Sequence, residues 1–109
     1  MKTFKTRYLA LKFECDGEID RDVFWNCLIE TYLRLYGEYG FSKANIRLLE
    51  FKGKSAIISV DHAALPYLRA ALTMIRELNG VKTIVRVLGV SGTIKRLKAK
   101  FLSENVGKS

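Results

Sequence analysis

The order of apolar runs in this chain predicts an α+β sandwich: a four-stranded antiparallel sheet, two main helices on one of its faces, and a further helix at the C-terminus. Three observations carry this. Two-residue alternation and helical periodicity succeed one another in the order β-α-β-β-α-β. The second and third β-rich runs are separated only by Lys52-Gly53-Lys54, a connection that allows a hairpin and nothing longer. The 109 residues are 49% hydrophobic, which is enough for a single core but marginal for two.

The first strand is "YLALKFEC", Tyr8–Cys15. Leu9, Leu11, Phe13 and Cys15 point to one face, and Tyr8, Ala10, Lys12 and Glu14 to the other. The polar loop "DGEIDRD" follows, with Asp20 placed as a helix N-cap. "RDVFWNCLIETYLRLYGEYG" then has the period of a helix of about four turns, ended by Gly37 or Gly40. Phe24, Cys27, Leu28, Thr31 and Leu35 share one face of it. Trp25, Ile29, Tyr32 and Tyr36 fall beside them, so the apolar arc is roughly 200°, wider than one core-facing stripe needs. A second helix or another protein must cover the extra stripe, and the aromatic flank makes those four residues the candidate partner-binding surface.

"NIRLLEF" (Asn45–Phe51) and "SAIISV" (Ser55–Val60) form the hairpin. "DHAALPYLRAALTMIRELNG" supplies the second helix, beginning within a few residues of Pro66 and ended by Asn79-Gly80, with Leu68, Ala71, Leu72 and Ile75 as its core stripe. "VKTIVRVL" (Val81–Leu88) is the fourth strand. A last helix starts near Ser91 or Thr93 and runs to about Leu102, leaving residues 103–109 as a tail. The order is the split βαβ pattern of ferredoxin-like and RNA-recognition-motif-like sandwiches. The chain is expected to be one domain, with its core at about residues 6–102.

Catalytic constellations are missing from the sequence. No P-loop, GxGxxG or HExxH occurs. His62, the one histidine, has only adjacent Asp61 beside it and fits a capping or local structural role. Cys15 and Cys27 are too few for a zinc site and are expected to be buried thiols. Asp16, Glu18, Asp20 and Asp22 lack the Gly and Glu of an EF-hand loop, so a solvated acidic loop is the better reading. A metal-dependent nuclease built on Asp16 to Asp22 is the enzymatic alternative. No apolar run approaches the ~18 residues of a membrane span, and the N-terminus has no signal-peptide h-region, so a cytoplasmic protein without membrane association is expected.

The net charge is +8 and is unevenly distributed. Residues 1–13 carry Lys2, Lys5, Arg7 and Lys12 with no acid. Residues 14–38 hold seven acids against two bases, and residues 78–103 carry Lys82, Arg86, Lys95, Arg96, Lys98 and Lys100, again with no acid. Basic ends around an acidic middle suit a phosphate backbone. The stretch "LGVSGTIKRLKAKFL" (Leu88–Leu102) concentrates the pattern. Gly89 and Gly92 permit a sharp turn. Ile94, Leu97 and Phe101 then make a buried stripe, with Lys95 and Arg96 pointing away from it and Lys98 and Lys100 on its flanks. The third strand, "KGKSAIISV", has no aromatic where RNA-recognition motifs stack bases. Backbone binding is therefore expected, through Lys5, Arg7, Lys82, Arg86, Lys95, Arg96 and Lys100. The alternative of another class is a ferredoxin-like protein–protein adaptor whose basic ends are incidental.

"LGVSGTIKRLKAKFL" resembles the C-terminal signature of the archaeal ribonuclease P protein component 2 family, related to the eukaryotic Pop-five subunit. "RYLALKFE", "KANIRLLEF" and "HAALPYLRAALTMI" agree with it in order and spacing, so that the resemblance spans roughly residues 6 to 102. Pro66 departs from the pattern, standing where a polar helix-former is usual. The resemblance implies a subunit of an archaeal ribonucleoprotein endonuclease that removes the 5′ leader of precursor tRNA. It implies that the RNA subunit holds the catalytic Mg²⁺ and that this chain binds no cofactor. It also implies that this chain supports the catalytic domain of the RNA together with the TIM-barrel-like component 3 and other protein subunits, in an assembly that allows a homodimer within a heterotetramer.

Overall fold

The computed structural model describes residues 5–99. Strand β1 (Thr6–Glu14) lies between β3 (Ser55–Asp61) and β6 (Ile84–Ser91), and β2 (Arg47–Phe51) pairs with the outer side of β3. The order β2-β3-β1-β6 is antiparallel throughout, the ferredoxin-like arrangement expected from the sequence. Helices α1 (Arg21–Ala44) and α2 (Leu65–Met74) cover one face.

Alternation along β1 decides the core. Leu9, Leu11 and Phe13 are buried on the helix side, opposite Ile58 and Ala56 of β3 and Val85 of β6. Phe13 meets Phe24 of α1 edge-on, with ring centroids 4.8 Å apart, and Phe51 of β2 closes the cluster. The α2 stripe of Leu68, Ala71 and Leu72 is buried as expected. Asp20 caps α1, its carboxylate accepting from the backbone N–H of Asp22 and Val23 at 3.1 and 3.3 Å. Asp20→Ala is expected to lower stability by about 1 kcal/mol, measured by denaturant unfolding, because it leaves helix N–H donors without their side-chain acceptor.

Several boundaries differ from expectation. The helix breaks at Gly37, one of the two expected ends, but helical backbone returns beyond it and runs through Gly40, so α1 is two segments joined by a kink. At Gly37 the backbone takes φ 78°, ψ 176°, a conformation only glycine adopts readily, and the helix resumes as far as Ala44. Asn45, expected to open β2, instead ends the helix in the left-handed region. Leu35, placed on the core face by periodicity, is 40% exposed just before the kink. Cys15 lies beyond the end of β1, and both thiols are half-buried rather than fully enclosed.

The larger correction concerns Asn79-Gly80. α2 ends at Met74, and Ile75 is already extended. Two short strands, β4 (Glu77–Leu78) and β5 (Val81–Lys82), then pair across Asn79-Gly80, both at positive φ (53° and 82°) as a type I′ hairpin demands. Extended Ile75 and Leu78 of β4 are both buried in the core. β6 consequently starts at Ile84 rather than Val81 and continues through Gly89 to Ser91. Gly89 is therefore a strand residue opposite Ala10. The register slips there, since Leu11 faces Val87, leaving Leu88 as the extra residue of a bulge.

Candidate nucleic-acid interface

The second face of the sheet is where the cations gather. Strand parity puts Lys12 and Glu14 of β1, Arg47 and Glu50 of β2, and Arg86 of β6 on the side away from α1 and α2. This face is not wholly open. Helix α3 (Ile94–Leu97) lies on it and buries Leu97 completely against Ala10 and Ile57, with Tyr8 and Leu88 at the margin. Tyr8 is thus a packing residue here, which leaves the face without a free aromatic platform on β1.

Local chemistry sets the entry into α3. Ser91 Oγ accepts from the Thr93 N–H at 3.3 Å, and Thr93 Oγ1 caps the helix by accepting from the Arg96 N–H at 3.2 Å. The turn passes Arg7, whose Nη1 lies 3.7 Å from where a Cβ at Gly92 would stand and which donates to the Thr6 carbonyl at 3.1 Å. Lys95 and Arg96 are exposed. Lys98 is not a free cation: its Nζ pairs with Glu50 Oε2 on β2, fastening α3 across the sheet. Ile94 is half-buried beside Leu97. Lys100, Phe101 and Leu102 lie outside the described residues.

The expected binding residues therefore fall into two groups. Lys5 and Arg7 lie at the end of β1 from which α3 departs; the Lys5 carbonyl accepts from the His62 N–H at 2.7 Å. Arg86 lies toward the other end of the sheet, about 17 Å along β1 from Arg7 at ~3.3 Å per residue, with Lys82 on the β4–β5 hairpin beyond it. Lys12 and Arg47 also lie on this face, although neither is among the binding residues expected from the sequence. Alternation in "YLALKFE" had already put Lys12 on this face; Arg47 becomes visible once the register Arg47↔Ser59 is known. Neither has an ion-pair partner among the described residues.

The helix face is different in kind. The loop before α1 carries Asp16, Glu18 and Asp20, while α1 itself balances Asp22, Glu30 and Glu38 against Arg21, Arg34 and Lys43. The Asp20 carboxylate is committed to the helix cap, and among the described residues no three His, Cys, Asp or Glu side chains come together as a metal-binding group. His62 sits in a short 3₁₀ turn (His62–Ala64) capped by Asp61, which accepts from the Ala63 N–H at 3.1 Å.

An open recess of about 860 Å³ lies between the C-terminal part of α1 and the start of α2, lined among others by Tyr32, Tyr36, Lys43, Asp61 and Tyr67. Tyr36 stands between Tyr32 and Tyr67, at 4.7 and 5.2 Å between centroids. Burial, then the neighbouring Tyr36 and Tyr67, raise the Tyr32 phenol above its usual pKa. Of the four expected partner residues, Tyr32 is part of the core, Trp25 and Tyr36 pack half-buried against it, and Ile29 is half-buried. The exposed aromatics on this side are Tyr39 and Tyr67, with Lys43 Nζ 4.9 Å from the Tyr39 ring centroid.

Residues 7–102 match the model of the Rpp14/Pop5 family. The chain is 40% identical over 102 residues to ribonuclease P protein component 2 of Pyrococcus abyssi, covering 92% of this chain and 86% of that one. It is 38% identical over 98 residues to the protein of the same name from Archaeoglobus fulgidus, covering 90% and 89%. A chain in the cryo-EM structure of yeast ribonuclease MRP superposes with a TM-score of 0.68 over 99% of this chain and 96% of its own length, at 21% identity, and so shares the fold. The match over nearly the whole length, together with the ferredoxin-like sheet and its basic C-terminal helix, establishes that the chain belongs to the Rpp14/Pop5 family.

Proposed function

We propose that this protein is an archaeal ribonuclease P subunit that acts in tRNA processing by gripping the backbone of the RNA subunit, and that it carries no catalytic residue of its own. The observation that supports this best is the excess of cations on one face: Lys12, Arg47, Arg86, Lys95 and Arg96 outnumber Glu14 and Glu50 on the face that bears α3. A phosphate backbone is attracted by such a face without needing base recognition. The names of the relatives supply the machine.

In this reading the RNA subunit holds the catalytic Mg²⁺, and the assembly works in the cytoplasm. Component 3 docks on the helix side, where the tyrosine-lined cavity favours a protein contact: exposed aromatics beside an apolar recess are characteristic of protein interfaces. Reconstitution tests the whole. The RNA subunit with component 3 is expected to cleave precursor tRNA markedly faster when this chain is added, and the chain alone with Mg²⁺ is expected to cleave nothing. Robust cleavage by the isolated chain would reinstate the acidic-loop nuclease. No gain in the reconstituted mixture would leave the adaptor reading.

A further inference from the structure

Lys12 and Arg86 stand directly opposite one another on neighbouring strands of the cationic face. Like charges in that position repel, and a fold has no stability reason to pair them. Glu14, two residues along β1 on the same face, answers only one of them. Its Oε2 accepts from Arg86 Nε at 2.6 Å. Lys12 is exposed and has no ion-pair partner among the described residues. The bond to Glu14 uses one of the five guanidinium donors, and both side chains remain open to water, Arg86 at 58% and Glu14 at 40%. An ion pair that exposed contributes little and exchanges readily.

A phosphodiester carries the same single charge as the Glu14 carboxylate and likewise presents two free oxygens. It could take the guanidinium in place of Glu14 and at the same time neutralise Lys12, which Glu14 does not. We infer that Lys12 and Arg86 form a two-cation seat for one RNA phosphodiester, and that Glu14 is its built-in competitor, displaced when the phosphate arrives. The inference rests on the RNA-binding reading above. It adds a contact distinct from α3, because the seat lies along β1 from the Arg7 end where α3 begins.

The competitor role predicts a sign that a supporting role does not. Were Glu14 holding Arg86 in place for RNA, Glu14→Gln would weaken binding; as a competitor, its loss tightens it. The experiment measures binding of the full chain to the ribonuclease P RNA across a salt series, for the parent, Lys12→Ala, Glu14→Gln and Glu30→Gln. Glu30 is exposed on α1, on the opposite side of the sheet, so its variant makes the same change in net charge away from the seat. Lys12→Ala is expected to flatten the log–log salt slope by about 0.7–0.9 and to weaken binding roughly 4- to 6-fold near 0.15 M salt. Glu14→Gln is expected to bind more tightly than both the parent and Glu30→Gln. All four are expected to melt together, since each change is at an exposed side chain. Weaker or unchanged binding by Glu14→Gln, or an unchanged slope for Lys12→Ala, overturns the seat while leaving the RNA reading intact if the parent's affinity is salt-dependent. A parent whose affinity does not respond to salt overturns both.

Discussion

The double variant Lys95→Ala, Arg96→Ala is expected to bind the ribonuclease P RNA roughly 15- to 30-fold more weakly near 0.15 M salt, with a log–log salt slope shallower by about 1.4–1.8. The magnitude follows from two phosphate contacts, each releasing about one condensed counterion. Both side chains are exposed on α3, and neither is ion-paired among the described residues. Their removal should therefore cost less than about 0.5 kcal/mol of stability. The loss should be nearly the same on unrelated RNA sequences, because backbone contacts carry no base information. Lys98→Ala provides a contrast. Its ammonium is engaged by Glu50, so its first effect should be on how α3 sits rather than on the number of phosphates held. An unchanged affinity and slope for the double variant would leave α3 a solubilising end and assign RNA contact to Lys5, Arg7 and the strand cations.

The parts of this fold that follow from periodicity were legible from residues alone. Leu9, Leu11 and Phe13 against Ala10 and Lys12, and Leu68, Ala71 and Leu72 on α2, obey a single face-selection rule that tertiary structure did not disturb. The parts that escaped share a physical cause: the local signal has two outcomes, and distant packing chooses between them. Asn-Gly ends a helix and also makes a type I′ turn. Here the chain leaves the helix at Ile75, and Glu77–Leu78 pairs with Val81–Lys82 across Asn79-Gly80, both at positive φ, so the hairpin outcome holds. Gly37 does break the helix; what the sequence did not show is that the chain turns helical again beyond it as far as Ala44, which is buried.

Charge was harder to place than apolar packing, because charges pair across distances that no block count spans. Residues 78–103 contain no acid, yet Arg86 finds Glu14 and Lys98 finds Glu50. The free cations of the sheet face are consequently a different set from the one that charge blocks suggest. Lys12 was countable from the start but became a site residue only when the register set it opposite Arg86. On the helix side the aromatic flank was visible, but not that Tyr32 belongs to the core and that Tyr36 lines a recess with Tyr67 of α2.

Leu97→Ala separates the platform from the charges it presents. Leu97 is completely buried, yet its cluster is small: Ala10 and Ile57 of the sheet, with Tyr8 and Leu88 beside them, apart from the main core under α1 and α2. Truncating a buried leucine costs about 2–5 kcal/mol when the whole fold must carry the loss. Here the helix can instead leave the sheet, which caps the global cost at whatever docking α3 contributed. The expected result is therefore a local opening. Amide exchange should accelerate sharply in residues 93–99, while amides of β1 and β3 keep most of their protection, and the melting temperature should fall by less than for Phe24→Ala in the main core. RNA binding should drop nearly as far as in the Lys95, Arg96 double variant, because the two cations no longer share a surface with Lys12 and Arg86. Coupling supplies the sharper check. If the platform is what makes Lys95 and Arg96 effective, adding their alanines to Leu97→Ala should weaken binding by much less than the 15- to 30-fold expected in the parent. Full additivity would mean that the cations bind RNA equally well from an undocked segment, and that the fold positions them for nothing.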